Sequence, residues 1–180
     1  VVSGSLTPSA QFLVAPEVGG RLVELTVDVG DKVVRDTVVA RLDDRDYRRA
    51  VAEAEAEVAV AVARKAEAES ALGLTRRVAE RAATLVERGV VAEAERDRAE
   101  AAHLAAEAAI AVAAAELQQA RARLDSAEIA LDRTVITAHW NGDDASRIVG
   151  ERWVDVGETL AAGDPIASVI DLTPLHVEIH

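Results

Sequence analysis

Three side chains of metal-ligating type alternate near the end of the chain, His176, Glu178 and His180 in "HVEIH". On a strand, alternate residues share one face, so all three would point the same way. Neighbouring members could share an ion, but the two histidines would stand ~13 Å apart along a strand, too far for one metal to bridge. The set reads as a polar strand face, and no metal ligand is assigned. The sequence contains no cysteine, which removes thiol chemistry, disulfides and Cys-based metal sites. Ser, His and Asp occur in no nucleophile motif, and Gly19-Gly20 alone is too little for a phosphate loop. Lys32 and Lys65 are the only lysines that a covalently attached cofactor could use. No catalytic or cofactor-binding residue is assigned. What remains is a short constellation in the middle of the chain. Arg81 and Leu85 share one helix face by their i, i+4 spacing, with Gly89 and Ala92 just beyond. That is a charged donor and an apolar knob, suited to contact rather than to catalysis.

The elements that must position these residues are unusual in composition. Of 180 residues half are apolar, yet two Trp, one Tyr and one Phe are the only aromatics. The apolar total is mostly Ala and Val, which suits close-packed helices and small sheets. A net charge of −12 argues against nucleic acid as a partner, since binding phosphates needs clustered Lys and Arg. With so few lysines there is also no polybasic membrane patch. No stretch of about 18 apolar residues is present to span a bilayer. The chain starts at Val1 without a signal-peptide pattern, which reads as a trimmed or mature fragment.

From about residue 46 to 133 there is no proline, and Ala, Glu and Arg dominate. Ile110, Leu117, Leu124 and Leu131 fall seven apart, with Ala106, Ala113, Ala120 and Ala127 as a companion row. This is a two-row seam in which Ala lets a second backbone come close. Val51, Val58 and Leu72 with Ala54, Ala61 and Ala68 repeat the pattern upstream, Lys65 interrupting the large row. Val78 and Leu85 then stand one position out of phase, which predicts a local change in winding. A turn is available at "ERGVVAEAE", where Gly89 can take the left-handed conformation that ends a helix. The spacing predicts two helices over 46–88 and 92–132, each roughly 60 Å long at ~1.5 Å per residue, folded back as an antiparallel hairpin. The carboxylates among arginines on their outer faces read as a solvated rod.

On either side lie short strands separated by turns. "TVDVGD" at 26–31 returns as "WVDVGE" at 153–158, a shift of 127 residues that also places Val33 on Leu160, Val39 on Ile166 and Asp44 on Asp171. Each copy is too small to bury a sheet alone. Together they predict one β sandwich split by the helical hairpin, an α+β chain.

The repeated Val-Asp-Val-Gly-Asp/Glu-x-Val/Leu phrase resembles the biotinyl/lipoyl-carrier fold. In true carriers a lysine on the turn joining the halves receives the cofactor. Here that turn, after "ARLDD", opens into the hairpin, and neither Lys32 nor Lys65 lies on it. A lipoyl domain split in this way resembles the membrane fusion protein family, the periplasmic adaptors of tripartite efflux and secretion systems. The resemblance runs through "VAPEVGGRLVELTVDVGDKVVRDTVVARLDDRDYRRAV", "LDRTVITA" and "VDVGETLAAGDPIASVIDLTPLHVEI", in the family's order. It implies lipoyl-like halves at 13–45 and 134–172 around a hairpin at 46–133 whose tip lies near 88–91. It also implies that 1–12 and 173–180 are edge segments of a further β-barrel domain.

The resemblance implies no enzyme activity and no cofactor. Its implied partners are a TolC-like outer-membrane channel, an inner-membrane transporter of RND or ABC type, and further copies of the chain as a hexamer. The location it implies is the periplasm, attached to the inner membrane through a segment outside this sequence. In adaptors that meet such a channel, the hairpin end carries an Arg, a Leu four later and a Ser seven after that. Arg81 and Leu85 match, Asp97 and Ala99 also fit, and Ala92 departs by lacking the hydroxyl. "AHWNGDDASRIVG" departs too, with His139 in place of a proline and about five residues, Asp143 to Arg147, read as an inserted surface turn. Two other readings stay open: a coiled-coil scaffold without channel docking, and a carrier domain with a decorative insertion.

Overall fold

The computed structural model describes residues 4–7, 10–140, 146–171 and 176–179, with side chains described for 10–140 and 146–171. The chain divides into a β unit, residues 1–48 with 128–180, and a helical unit, residues 49–127.

In the β unit, β1 (Gly4–Thr7) is followed by β2 (Ala10–Val14), β3 (Gly20–Leu25), β4 (Lys32–Val33) and β5 (Val38–Leu42). After the helices come β6 (Val135–Thr137), β7 (Arg147–Arg152), β8 (Thr159–Leu160), β9 (Ala167–Asp171) and β10 (His176–Ile179). The sheets have strand orders β2-β9-β7-β4 and β6-β5-β3-β8, with β1 and β10 forming a separate antiparallel pair. The two four-stranded sheets exchange under the sequence repeat. A shift of 127 residues carries β3 onto β7 and β4 onto β8, and the irregularity at Leu22/Glu24 onto the one at Val149/Glu151. Each half gives its two-residue strand to the other half's sheet: β4 pairs with β7, and β8 with β3.

The repeated phrase is the hinge of that exchange. Gly30 (φ 93°) donates its N–H to the Val149 carbonyl, and Gly157 (φ 102°) donates to the Leu22 carbonyl, both at 2.8 Å. An acidic side chain closes each turn: Asp31 accepts from the Asp28 amide at 2.8 Å, and Glu158 from the Asp155 amide at 3.1 Å. Behind the turns, Leu22, Val33, Val39, Val149, Ile166 and Val169 are almost wholly buried in one core shared by both sheets.

The helical unit holds most of α1 (Arg45–Glu87) and α2 (Glu93–Asp132), helices of 43 and 40 residues. Ala54, Ala61 and Ala82 of α1 are buried, as are Ala99, Ala106, Ala113, Leu117 and Ala120 of α2. Buried and half-buried positions in α2 step by three and four from Arg96 to Leu131 without a break. The same stepping runs through α1 from Val51 to Val86 by way of Leu72, Thr75, Ala79 and Ala82. The change of phase expected at Val78 is therefore absent, and Val78 is exposed. An Ala-based seam needs small residues for close approach, so the large side chains are a poor guide to its phase. Lys65 lies half-buried in the seam and carries its ammonium out to Glu69 at 3.4 Å. Two ion pairs cross between the helices, Glu57–Arg123 at 3.0 Å and Arg64–Glu116 at 3.4 Å. Their numbering rises on one helix as it falls on the other, so the helices are antiparallel. Both pairs stay largely exposed, in keeping with the reading of a solvated rod.

At the start of α1, the Asp44 carbonyl accepts the Arg48 amide at 2.8 Å. Asp43 accepts from the Arg45 side chain at 2.9 Å and from its backbone N–H at 3.2 Å. These bonds, the side-chain ones first, lower the Asp43 pKa from 3.8 to about 2.

Two predictions follow from these turns and caps. Both tryptophans, buried Trp140 and half-exposed Trp153, lie in the β unit, so their fluorescence reports its unfolding. By that probe, Gly30→Ala and Gly157→Ala should each cost roughly 1–2 kcal/mol, because an L side chain disfavours positive φ. Clearly unequal costs would mean that the two turns are not equivalent supports. For Asp43, the folded pKa lies below the unfolded one, so its stabilisation is present above pH 3.8 and lost as pH falls towards about 2. Asp43→Asn should lower stability at neutral pH and flatten the acid limb of the unfolding curve in that window. An acid limb of unchanged slope would rule the group out.

Candidate functional site

The four residues singled out in the sequence lie at the turn of the hairpin. α1 ends at Glu87, and Gly89 follows with φ 69°. The Gly89 N–H bonds the Val86 carbonyl and the Val90 N–H bonds the Leu85 carbonyl, both at 2.9 Å. This pair of bonds is the Schellman closure, in which a left-handed residue lets the chain satisfy carbonyls that the helix would leave open. Gly89 is thus a structural stop, and a Cβ there would meet nothing within 4 Å.

Arg81 is exposed on α1, and its guanidinium forms no ion pair among the described residues. Leu85, one turn on, is half-buried. Below them Ala82 and Ala99 close the seam, at 7% and 8% exposure. Val90 is 65% exposed, an apolar side chain held out by the turn itself. Ala92 is exposed and immediately precedes α2, its carbonyl accepting the Glu95 amide at 3.0 Å. It occupies the cap position without a capping oxygen. Arg96 and Asp97 pair at 3.0 Å on the first turns of α2, and that carboxylate raises the Arg96 pKa. The turn therefore presents an uncommitted arginine, a half-buried leucine and an exposed valine within about two helical turns of each other in sequence. Such a surface can donate charged hydrogen bonds and bury a small apolar patch, which is recognition chemistry.

The side chains of His176, Glu178 and His180 lie outside the described residues, as do residues 141–145 of the expected insertion. Among the described residues no group of His, Cys, Asp or Glu is arranged to hold a metal, and no helix is long and apolar enough to cross a membrane.

Arg147 was expected to be part of a surface turn. It opens β7 instead and is 6% exposed. Its guanidinium carbon lies 4.5 Å from the Phe12 ring centroid and 4.6 Å from that of Trp140, and Nη2 lies 3.6 Å from Asp171 Oδ2. The sequence held one sign of this: Arg147 falls on Gly20 under the 127-residue shift, at the start of a strand rather than in a loop.

No protein-family model matches the chain, and no curated protein matches it. Solved structures do. MacA from Actinobacillus actinomycetemcomitans superposes with a TM-score of 0.87 at 22% identity, over 98% of this chain and 54% of that one. The periplasmic adaptor protein EmrA matches with a TM-score of 0.62 at 16% identity, over 98% of this chain and 77% of that one. The membrane fusion protein Spr0693 from Streptococcus pneumoniae R6 matches at 0.50 and 19%, over 98% and 66%. The fold is that of the membrane fusion proteins. This chain spans about half the length of the MacA chain it matches.

Within that fold the missing cap gives a direct test. Glu95 already stands three residues after Ala92, so Ala92→Ser would complete a Ser-x-x-Glu capping box. The expected gain is about 1 kcal/mol at the α2 start, seen as slower amide hydrogen exchange over its first turn. Unchanged exchange would show that the turn already satisfies those amides.

Proposed function

We propose that this chain is the lipoyl-like and hairpin portion of a periplasmic adaptor, bridging an inner-membrane transporter to a TolC-like outer-membrane channel in a tripartite efflux or secretion system. The observation that carries the reading is the likeness to MacA over nearly the whole chain, split β unit and helical insertion together. The role is mechanical. The β units of several copies, as a hexamer, pack into a ring around a conduit, and the hairpins extend it towards the channel. Arg81, Leu85, Gly89 and Ala92 form the docking end, with Arg81 as donor, Leu85 as knob and Gly89 as the stop that fixes the turn. The β1–β10 pair begins a β-barrel domain nearer the transporter, itself of RND or ABC type. The protein works in the periplasm, tethered to the inner membrane through a segment beyond this chain. It carries out no covalent step and needs no cofactor.

Residues 1–180 contain no cysteine, so one introduced there is unique within this part of the protein. A single cysteine replaces Glu87, the exposed last residue of α1, in the full-length protein, and the channel carries a cysteine at its periplasmic tip. A crosslink in intact cells is expected at Glu87→Cys and not at Glu107→Cys in the body of α2. No crosslink from a folded, expressed protein would favour a helical scaffold that does not dock.

A further inference from the structure

Arg147 is a buried charge in a unit whose other half does without one among the described residues. Under the 127-residue shift its equivalent is Gly20, where an added Cβ would come within 3.2 Å of Leu42. The two halves also differ in where the chain goes next. After β5 it enters α1; after β9 it runs on to β10. The departure points are equivalent aspartates, Asp44 and Asp171, and each meets an arginine. Asp44 pairs at 2.7 Å with Arg48 of the departing helix. Asp171 pairs at 3.6 Å with Arg147 of the sandwich itself.

Asp171 lies opposite Ala10 in the β2–β9 ladder, so the strand entering the sandwich and the strand leaving it pass this point side by side. Beyond it they pair again as β1 and β10, with Thr7 opposite His176. That pair is two strands of four residues, joined to nothing else by strand pairing among the described residues. A two-stranded ribbon has little stiffness of its own, so its direction must be set where it leaves the larger sheet.

We propose that Arg147 is a positioning residue that sets the direction in which β2 and β9 leave the sandwich for the β1–β10 ladder. It does so from β7, a strand that does not itself leave. One face of the guanidinium chemistry holds Asp171 at the end of β9. The Phe12 ring of β2 and the Trp140 ring, 6.4 Å apart, hold the planar group from the sides. Entry strand, exit strand and a fixed strand are thereby tied at one point. A planar, weakly hydrated cation is suited to this, since it can stack on rings while its N–H groups face a carboxylate, which an ammonium cannot do. A buried charge is costly unless it is paired, and here Asp171 stands 3.6 Å from Nη2 while the two rings pack against the guanidinium.

The full-length protein, with any cysteine outside residues 1–180 replaced by serine, is labelled with spin probes at Ser5→Cys on β1 and Thr159→Cys on β8, and the distance distribution is measured by electron–electron double resonance. A second pair, Val34→Cys with Thr159→Cys, lies wholly within the sandwich and serves as control. Arg147→Met should shift or split the Ser5–Thr159 distribution and leave the control unchanged. Arg147→Lys should behave like Arg147→Met, since it keeps the charge and loses the stack. Asp171→Asn, which retains Arg147 and the core, should shift the same distribution by less, and it supplies the test if the Arg147 variants do not fold. A Ser5–Thr159 distribution unmoved in the folded variants overturns the assignment. So does one that moves only together with the control, which would make Arg147 a pillar of the sandwich and not its exit guide.

Discussion

The two halves of the β unit cannot close without each other, because each keeps one short strand in the other's sheet. Lys32–Val33 completes the sheet of β7 and β9, and Thr159–Leu160 completes that of β3 and β5. A two-residue strand has no stability of its own and forms only where a longer strand awaits it. The glycine turns that precede these strands are therefore tied to the opposite half by their own amides, Gly30 to Val149 and Gly157 to Leu22. Folding of the β unit thus requires the chain to return, after the whole insertion, to the place it left.

That requirement shapes the insertion. The last strand before it and the first strand after it are neighbours: Arg41 lies opposite Val135, and the Leu42 amide bonds the Thr134 carbonyl at 2.9 Å. A helical excursion that begins and ends at paired residues must go out and come back over nearly equal lengths, as helices of 43 and 40 residues do. The alanine seam makes the return possible at close range, and the pairs Glu57–Arg123 and Arg64–Glu116 fix the register along it. Exposed pairs of this kind contribute little stability, on the order of 0.2–1 kcal/mol each. Their value is in discriminating against a slipped alignment. At the far end the Schellman closure at Gly89 turns the chain within a few residues, and this brings Arg81 and Leu85 to an end of the helical unit, where a partner could meet them.

The chemistry of the molecule is accordingly the chemistry of placement. Its charged groups start helices, register them or hold strands. Asp43 and Asp44 sit where the helix departs, and Arg147 with Asp171 sits where the ladder departs.

Much of this was legible from sequence because the signals are local. Gly30, Gly89 and Gly157 need positive φ for reasons confined to a few residues, and the seven-residue alanine rows declare two helices that want a partner. The repeated Val-Asp-Val-Gly phrase revealed the two halves for the same reason: both copies solve the same local turn. The phase of the seam near Val78 was misread because large side chains were followed where small ones make the contact. The exchange of β4 and β8 between sheets and the burial of Arg147 were decided by the tertiary structure alone. A two-residue strand carries too few side chains to announce its partner. Whether an arginine is solvated or enclosed depends on Phe12, Trp140 and Asp171, brought to it from other segments and, for Phe12, from the far side of the helical insertion.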